Sequence, residues 1–282
     1  TAIRDNGRPR TFFEKVVHRH AVATSDADAV AEAGDAGFVR ADTRFIHDIY
    51  TAMARHMLRQ EFGDDLDLHD PASILVFEDH YSYTHLSPAH RRLMPQIREL
   101  SAAHRAFVAE HGLRHHGYLE GGPGSEGISH ALMAERYAQP GQLIVGTDSH
   151  TPHSGALGCV AFGVGTTEIA NGFVTGAVRV VMPESILVRL EGSRPRGVTA
   201  KDIVLHLLAL PEIRAGAGVG RVFEFAGPVV AGLSTDERAT LTNMVAEIGG
   251  LTGLVVPDAE TVRYLRERRG IEVTLDAWMR SE

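Results

Sequence analysis

Apolar positions along the chain alternate between two periodicities. Short aliphatic runs, Ser73-Ile-Leu-Val-Phe77, Gln142-Leu-Ile-Val145 and Ser185 to Leu190, have the length and composition of buried strands. Between them, apolar residues recur at helical spacing. Thr11-Phe-Phe-Glu14 reads as a capping box opening a helix that carries Phe12, Phe13, Val16 and Val17. Phe45, Ile49, Met53 and Met57 recur every fourth position and predict a helix from Thr43 that stops near Gly63. Ser87-Pro88 sets an N-cap residue before a proline suited to the first helical position, predicting a helix to Gly112 with a kink at Pro95. Further helices are expected over 166–175, 199–210 and 234–248. Thr199 with Asp202 and Ser234 with Glu237 repeat the capping box, and Gly249-Gly250 ends the last of these helices. Residues 23–42, rich in Ala, Asp and Gly without a period, predict an irregular surface segment.

Strand, polar turn and helix in repeated succession predict an α/β fold. Such folds gather ligand-binding groups at the carboxyl ends of strands, and two predicted strand ends carry reactive side chains. Asp79-His80 follows the first. An adjacent carboxylate orients an imidazole and raises its proton affinity, which suits a general acid; the same pair also fits a turn with an Asp cap and an incidental His. Asp148-Ser149-His150 follows the second. Neighbours on one turn do not form a Ser-His-Asp relay and no G-x-S-x-G elbow is present, so separate roles are expected. The nearby Gly155, Gly158, Gly163 and Gly165 match neither the dinucleotide nor the Walker pattern. Asn243 and Glu247, four residues apart on the predicted helix, share one face, and His130 is a candidate partner for that glutamate.

Composition narrows the ligand. With 282 residues, 44% of them hydrophobic, the chain can bury a sizeable core. A net charge of -8, from 36 acidic and 28 basic residues without a Lys/Arg-rich run, argues against a nucleic-acid surface and for a small ligand. No apolar stretch reaches the roughly 20 residues of a membrane span. The single Cys159 excludes an internal disulfide and no secretory pattern opens the chain, so a cytoplasmic setting is expected. Apolar neighbours mark Cys159 as structural. The 16 His are scattered rather than set at one metal-ligand spacing, and most are expected at the surface or at helix ends.

These residues resemble a family, the aconitase and isopropylmalate isomerase hydro-lyases. The resemblance runs from Thr11-Phe-Phe-Glu-Lys15 through "EDH", "GISHALMAERYAQPGQLIVGTDSHTPHSGALGCVAFGVGTTEIA", "VTAKDIVL", "VFEFAG" and "LTNMVAEIGG" to "GLVVPDAETVRYL", most of the chain in the family's order. It implies two similar α/β lobes of mixed sheets flanked by helices, here 1–142 and 143–282 or interleaved across that boundary. It also implies removal and return of water on a small hydroxy di- or tricarboxylic acid, isopropylmalate-, homocitrate- or citrate-like, with a [4Fe-4S] cluster as Lewis acid. By matching position, Asp79 and His80 are the pair that protonates the leaving hydroxyl. His130 with Glu247, and Asp148 with His150, hold the hydroxyl or water; Ser149 contacts substrate carboxylate and Asn243 is a polar contact beside the cluster. Met53 stands where the resemblance expects a substrate-contacting Gln.

Cysteines of the family's third domain ligate the cluster, and Cys159 matches none of them, so this chain alone does not hold it. The resemblance therefore implies a further domain or chain with the cluster cysteines, a small swivelling-domain subunit, and no turnover by the isolated chain. Two other classes compete: a cluster-free divalent-metal lyase or hydrolase using His80, His130, Asp148 and His150 as ligands, and a noncatalytic binding relative.

Overall fold

A computed structural model describes residues 9–22, 32–82, 88–119 and 124–279, the side chains of residues 64 and 90 excepted. Ser87 and residues 23–31 of the expected irregular segment lie outside the described residues. In chain order the elements are α1 (Phe12–His20), β1 (Ala36–Arg40), β2 (Thr43–His47), α2 (Asp48–Phe62), β3 (Ile74–Phe77), α3 (Met94–His111) and β4 (Arg114–His116). A short α4 (Ser129–Leu132), continued by a π-helical turn over Met133–Tyr137, precedes β5 (Leu143–Gly146), β6 (Val160–Gly163), α5 (Thr166–Thr175), β7 (Ala177–Val181) and β8 (Ser185–Arg189). Then follow α6 (Ala200–Ala209), α7 (Pro211–Arg214), β9 (Val222–Ala226), α8 (Pro228–Ala231), α9 (Thr235–Asn243), α10 (Val245–Ile248), β10 (Thr252–Val255) and α11 (Ala259–Arg269).

The α/β class is borne out. Five parallel strands form the central sheet in the order β4-β3-β2-β5-β6. Its strands β3 and β5 are buried at every position, which is why they read as unbroken apolar runs rather than as alternating ones. Ile46, Ile74, Val76, Leu143, Val145, Val160 and Phe162 point into a core shared with α1, α2, α3 and α5. Their neighbours Phe45, Leu75, Phe77, Ile144 and Ala161 enter a second core with the α4 region and α11. A three-stranded parallel sheet, β10-β9-β8, packs a third core against α6 and α9. β1 and β7 pair antiparallel. The central sheet takes β2 to β4 from before residue 142 and β5 and β6 from after it, so the expected lobes interleave instead of meeting at 142/143.

Four local expectations are corrected. Thr43–His47 is a strand, buried at every position, and the helix begins at Asp48. A spacing of four keeps side chains on one face of a strand as well as of a helix, so the recurrence from Phe45 does not discriminate between them. The buried face of α2 carries Thr51, Ala54 and Leu58, while Met53 is 55% exposed. Part of the expected irregular segment forms β1 against β7. Pro95 lies in the first turn of α3, after a 3-10 stretch from Pro88 to Leu93, where its missing N–H costs no helical bond; it starts the helix rather than kinking it. The helix expected over 234–248 breaks at Met244 into α9 and α10.

The capping boxes at Thr11, Thr199 and Ser234 form as read. One glycine governs how the two parallel sheets meet. A Cβ on Gly155 would sit 1.9 Å from the Gly253 carbonyl oxygen, so the turn after β5 lies backbone to backbone against β10. That contact brings α9 and α10 to the mouth of the central sheet.

Candidate active site

Strand order in the central sheet reverses between β2 and β5. The chain steps outward from β2 to β3 and β4, then returns to β5 on the other side of β2. At such a switch point the turns leaving adjacent carboxyl ends diverge and open a crevice. The turn after β2 supplies His47 and Asp48, that after β3 supplies Asp79 and His80, and that after β5 supplies Thr147 and Asp148.

Asp79 Oδ1 lies 2.7 Å from His80 Nδ1, the expected pairing, and Asp79 Oδ2 accepts the Ser129 amide N–H at 2.7 Å. The Asp79 contact raises the proton affinity of His80 against the opposing effect of burial. Burial favours protonation of Asp79, but the hydrogen bonds from His80 and Ser129 outweigh it and hold this carboxyl below its usual value. With Nδ1 turned to Asp79, the other ring nitrogen of a half-exposed side chain is free to act on a ligand.

The remaining contacts match the resemblance-based pairing only in part. His130 Nδ1 meets Asp148 Oδ2 at 2.6 Å instead of Glu247, and His150 Nε2 meets Glu247 Oε1 at 3.4 Å. Asp148 reaches His150 twice through Oδ1, accepting its amide N–H over 3.0 Å and lying 3.7 Å from its ring Nδ1. The cause is local. Asp148 points toward α4, where Ser129 Oγ also donates to it at 3.1 Å, while His150 lies two residues further along the turn, facing α10. Burial of Asp148 is outweighed by the bonds from His130 and the His150 amide, which hold the carboxyl well below the usual carboxylate range. Ser149 Oγ is 3.1 Å from His150 Nδ1. Asn243 closes α9 with its amide 3.2 Å from His153 Nδ1. The Glu247 side chain is 55% exposed. Met53, on the solvent side of α2, is not linked to this network; the residues by which α2 reaches the site are His47 and Asp48 at its start.

His47, Asp48, Ser129 and His153 escaped sequence reading. The His47 ring stacks on that of His80, centroids 3.9 Å apart, and burial with the neighbouring His80 pushes it down to about 4. Asp48 is fully buried and accepts the amide N–H groups of His80 at 3.2 Å and Tyr81 at 3.0 Å, fixing the turn that carries His80. Burial pushes the Asp48 carboxyl up to about 6. His153 lies 5.1 Å from the His130 ring, and burial together with His130 lowers it to about 4. The available signal was the polar pair His47-Asp48 directly after Phe45-Ile46, a weaker form of the grammar of Asp79-His80 after β3. Two further histidines, His104 and His116, are buried as well.

Metal-ligating atoms within 4.8 Å of one another gather in two groups among the described residues: His47, Asp48, Asp79 and His80, and separately Glu78, His104 and His115. His130, Asp148 and His150 do not join His80 in one such group. In the first group both oxygens of Asp48 and both of Asp79 already accept hydrogen bonds. Cys159 is fully buried, donates to the Gln139 carbonyl at 3.1 Å, and is pushed up by burial, which bears out its structural reading. No thiolate faces the crevice, so these residues do not fit an iron-sulfur cluster.

Fold and site together define an α/β protein with histidine–carboxylate contacts gathered at the switch point of a parallel sheet. The chain belongs to the aconitase family: the model described as "Aconitase family (aconitate hydratase)" matches residues 14–282. It is 31% identical to the chloroplastic 3-isopropylmalate dehydratase large subunit of Arabidopsis thaliana, over 93% of this chain and 50% of that protein. With the 3-isopropylmalate dehydratase large subunit 1 of Methanopyrus kandleri it shares 36% identity over 93% of this chain and 58% of that protein. With the large subunit from Anaeromyxobacter dehalogenans it shares 33% over 94% and 53%. The chain thus spans about half the length of the curated relatives it matches. Among the described residues no helix is long and apolar enough to cross a membrane.

Proposed function

We propose that this chain supplies the proton-handling half of a hydro-lyase active site that dehydrates and rehydrates a small hydroxy di- or tricarboxylic acid of the isopropylmalate, homocitrate or citrate type. The observation that carries the proposal is Ser129, whose amide N–H binds Asp79 and whose hydroxyl binds Asp148, joining the Asp79–His80 and Asp148–His130 pairs into one array at the switch point. Hydroxide is a poor leaving group and requires protonation as its C–O bond breaks. His80, held by Asp79 at Nδ1, delivers a proton from Nε2 to that oxygen, which departs as water while a base on the adjoining swivelling domain takes the proton from the neighbouring carbon. His130 and His150, each turned by a carboxylate, orient the departing or returning water. Ser149 and Asn243 provide hydrogen-bonding groups for substrate oxygens.

The relatives' names describe a large subunit, and a small swivelling-domain subunit and a cysteine-bearing domain complete the site in this proposal. A [4Fe-4S] cluster held by those cysteines would supply Lewis acidity. Because the donors of this chain do not fit it, no step above is assigned to the cluster. The same incompleteness makes the isolated chain inactive.

The test is steady-state kinetics of His80→Ala in the assembled enzyme, with 3-isopropylmalate, homocitrate and citrate offered separately. A leaving-group acid acts in the transition state, so kcat falls by about 100-fold or more while KM changes little. An unchanged kcat removes His80 from the chemistry.

A further inference from the structure

Beside Thr51 of α2 stand three side chains that the proposed reaction does not use. Glu78 follows β3 and is 1% exposed, His104 lies within α3 and is fully buried, and His115 lies in β4. His104 Nε2 and His115 Nε2 face each other at 3.1 Å, and His115 Nε2 is 3.7 Å from Glu78 Oε2. Thr51 settles the tautomer of His104. Its one hydroxyl proton goes to the His47 carbonyl at 3.0 Å, so its oxygen accepts from His104 Nδ1–H, also at 3.0 Å. Nε2 of His104 then carries a lone pair directed at a second imidazole nitrogen. Such a pair requires one proton or one cation between the rings.

We propose that Glu78, His104 and His115 form a binding site for a borderline divalent cation of the zinc class. Zn–N distances of about 2.0–2.1 Å place tetrahedral ligand atoms about 3.3–3.4 Å apart, between the two separations found here. Two imidazoles and one carboxylate favour zinc, cobalt or nickel over magnesium and calcium, which take oxygen ligands. The outer contacts also fit. His104 is fixed through its second nitrogen by Thr51, the arrangement that orients metal-bound imidazoles. Gly117 makes room for the His115 ring, because a Cβ there would lie 2.3 Å from His115 Cε1. Arg105 pairs with Glu78 through Oε1 at 2.8 Å and more loosely through Oε2 at 3.3 Å. Metal binding would take Oε2 and leave the shorter contact intact. Water reaches the fourth position past His115, whose side chain is 24% exposed.

The experiment strips the 282-residue chain with chelator and titrates it with Co2+, reading the visible absorption of tetrahedral cobalt and the bound metal by elemental analysis, followed by Zn2+ displacement. One ion per chain is expected, with Mg2+ and Ca2+ failing to compete. His115→Ala should weaken binding at least about 100-fold, and Thr51→Val about 10–100-fold through loss of the outer contact. Glu78→Gln, nearly isosteric, covers the case in which a histidine variant does not fold, and His80→Ala should bind as the parent does. Absence of a tight ion would overturn the proposal and assign the His104–His115 contact to a shared proton. So would binding that survives His115→Ala and Glu78→Gln, or binding lost only in His80→Ala.

Discussion

Asp48 offers a perturbation whose size follows from its surroundings. Its carboxyl is fully buried, and burial raises it from 3.8 to about 6. The unfolded chain ionises first as pH rises, so native stability declines between about pH 4 and pH 6 and is level above that. From these two values the cost of the charge is below about 1 kcal/mol at pH 4 and grows to about 3 kcal/mol at pH 7. Asp48→Asn removes this cost but keeps only one carbonyl oxygen for the two amide N–H groups of His80 and Tyr81, a pH-independent loss of about 1–3 kcal/mol. The variant should therefore be less stable than the parent at pH 4 and equal to it or more stable at pH 7. Urea denaturation of both proteins across this range measures the difference, in which the titrations of all other groups largely cancel. A gap between the two that stays constant within about 0.5 kcal/mol from pH 4 to pH 7 would refute the assignment of a buried, proton-retaining Asp48.

Asp148 should show the opposite sign. Its hydrogen bonds depress the folded-state pKa, so it stabilises above the unfolded value near pH 4 and loses that contribution as pH falls. Asp148→Asn is accordingly expected to destabilise most at pH 7 and progressively less in acid; a deficit that grows on acidification would contradict this. Cys159, buried and held up by its surroundings, should resist a thiol reagent in the native chain and react on unfolding in denaturant, and rapid native labelling would place it elsewhere. Gly155→Ala would force the turn away from the Gly253 carbonyl and should lower the thermal midpoint by several degrees, whereas Gly232→Ala, at a glycine with a φ of -86° whose added Cβ would meet nothing closer than 3.6 Å, should change it far less; equal effects would show that the close approach is not a constraint.

Sequence revealed most where burial leaves no choice. β3 and β5 are buried on both faces, so their aliphatic runs were visible as strands, and helices opened by capping boxes were visible at their first residues. β2 was missed although it is equally buried, because Phe45 continued a spacing that α2 then repeats on its exposed side through Met53. That error hid His47 and Asp48. Short strands such as β4 and β10 carry three or four residues each, with charged, histidine or glycine positions that weaken the β signal, and their place is set by neighbouring strands.

The exchange of partners around Asp148 marks a deeper limit. Position at the end of a strand singled out Asp79-His80 and Asp148-Ser149-His150, and the family resemblance added His130 and Glu247 to the same site. Which imidazole meets which carboxylate depends on where α4 and α10 come to rest, and that is decided by contacts remote from the chemistry. One is the backbone packing of Gly155 on Gly253, which brings Glu247 to His150; another is the Ser129 amide on Asp79, which sets His130 against Asp148. Once Asp148 is committed to α4, His150 turns to the exposed Glu247, a partner that solvent and ionic strength weaken. The three pairs are thus physically unequal. Asp79–His80 and Asp148–His130 are short contacts that share Ser129, while His150–Glu247 is long and open. The first two are the preorganised part of the site, and His150 is the member whose orientation a ligand or an adjoining domain can still change.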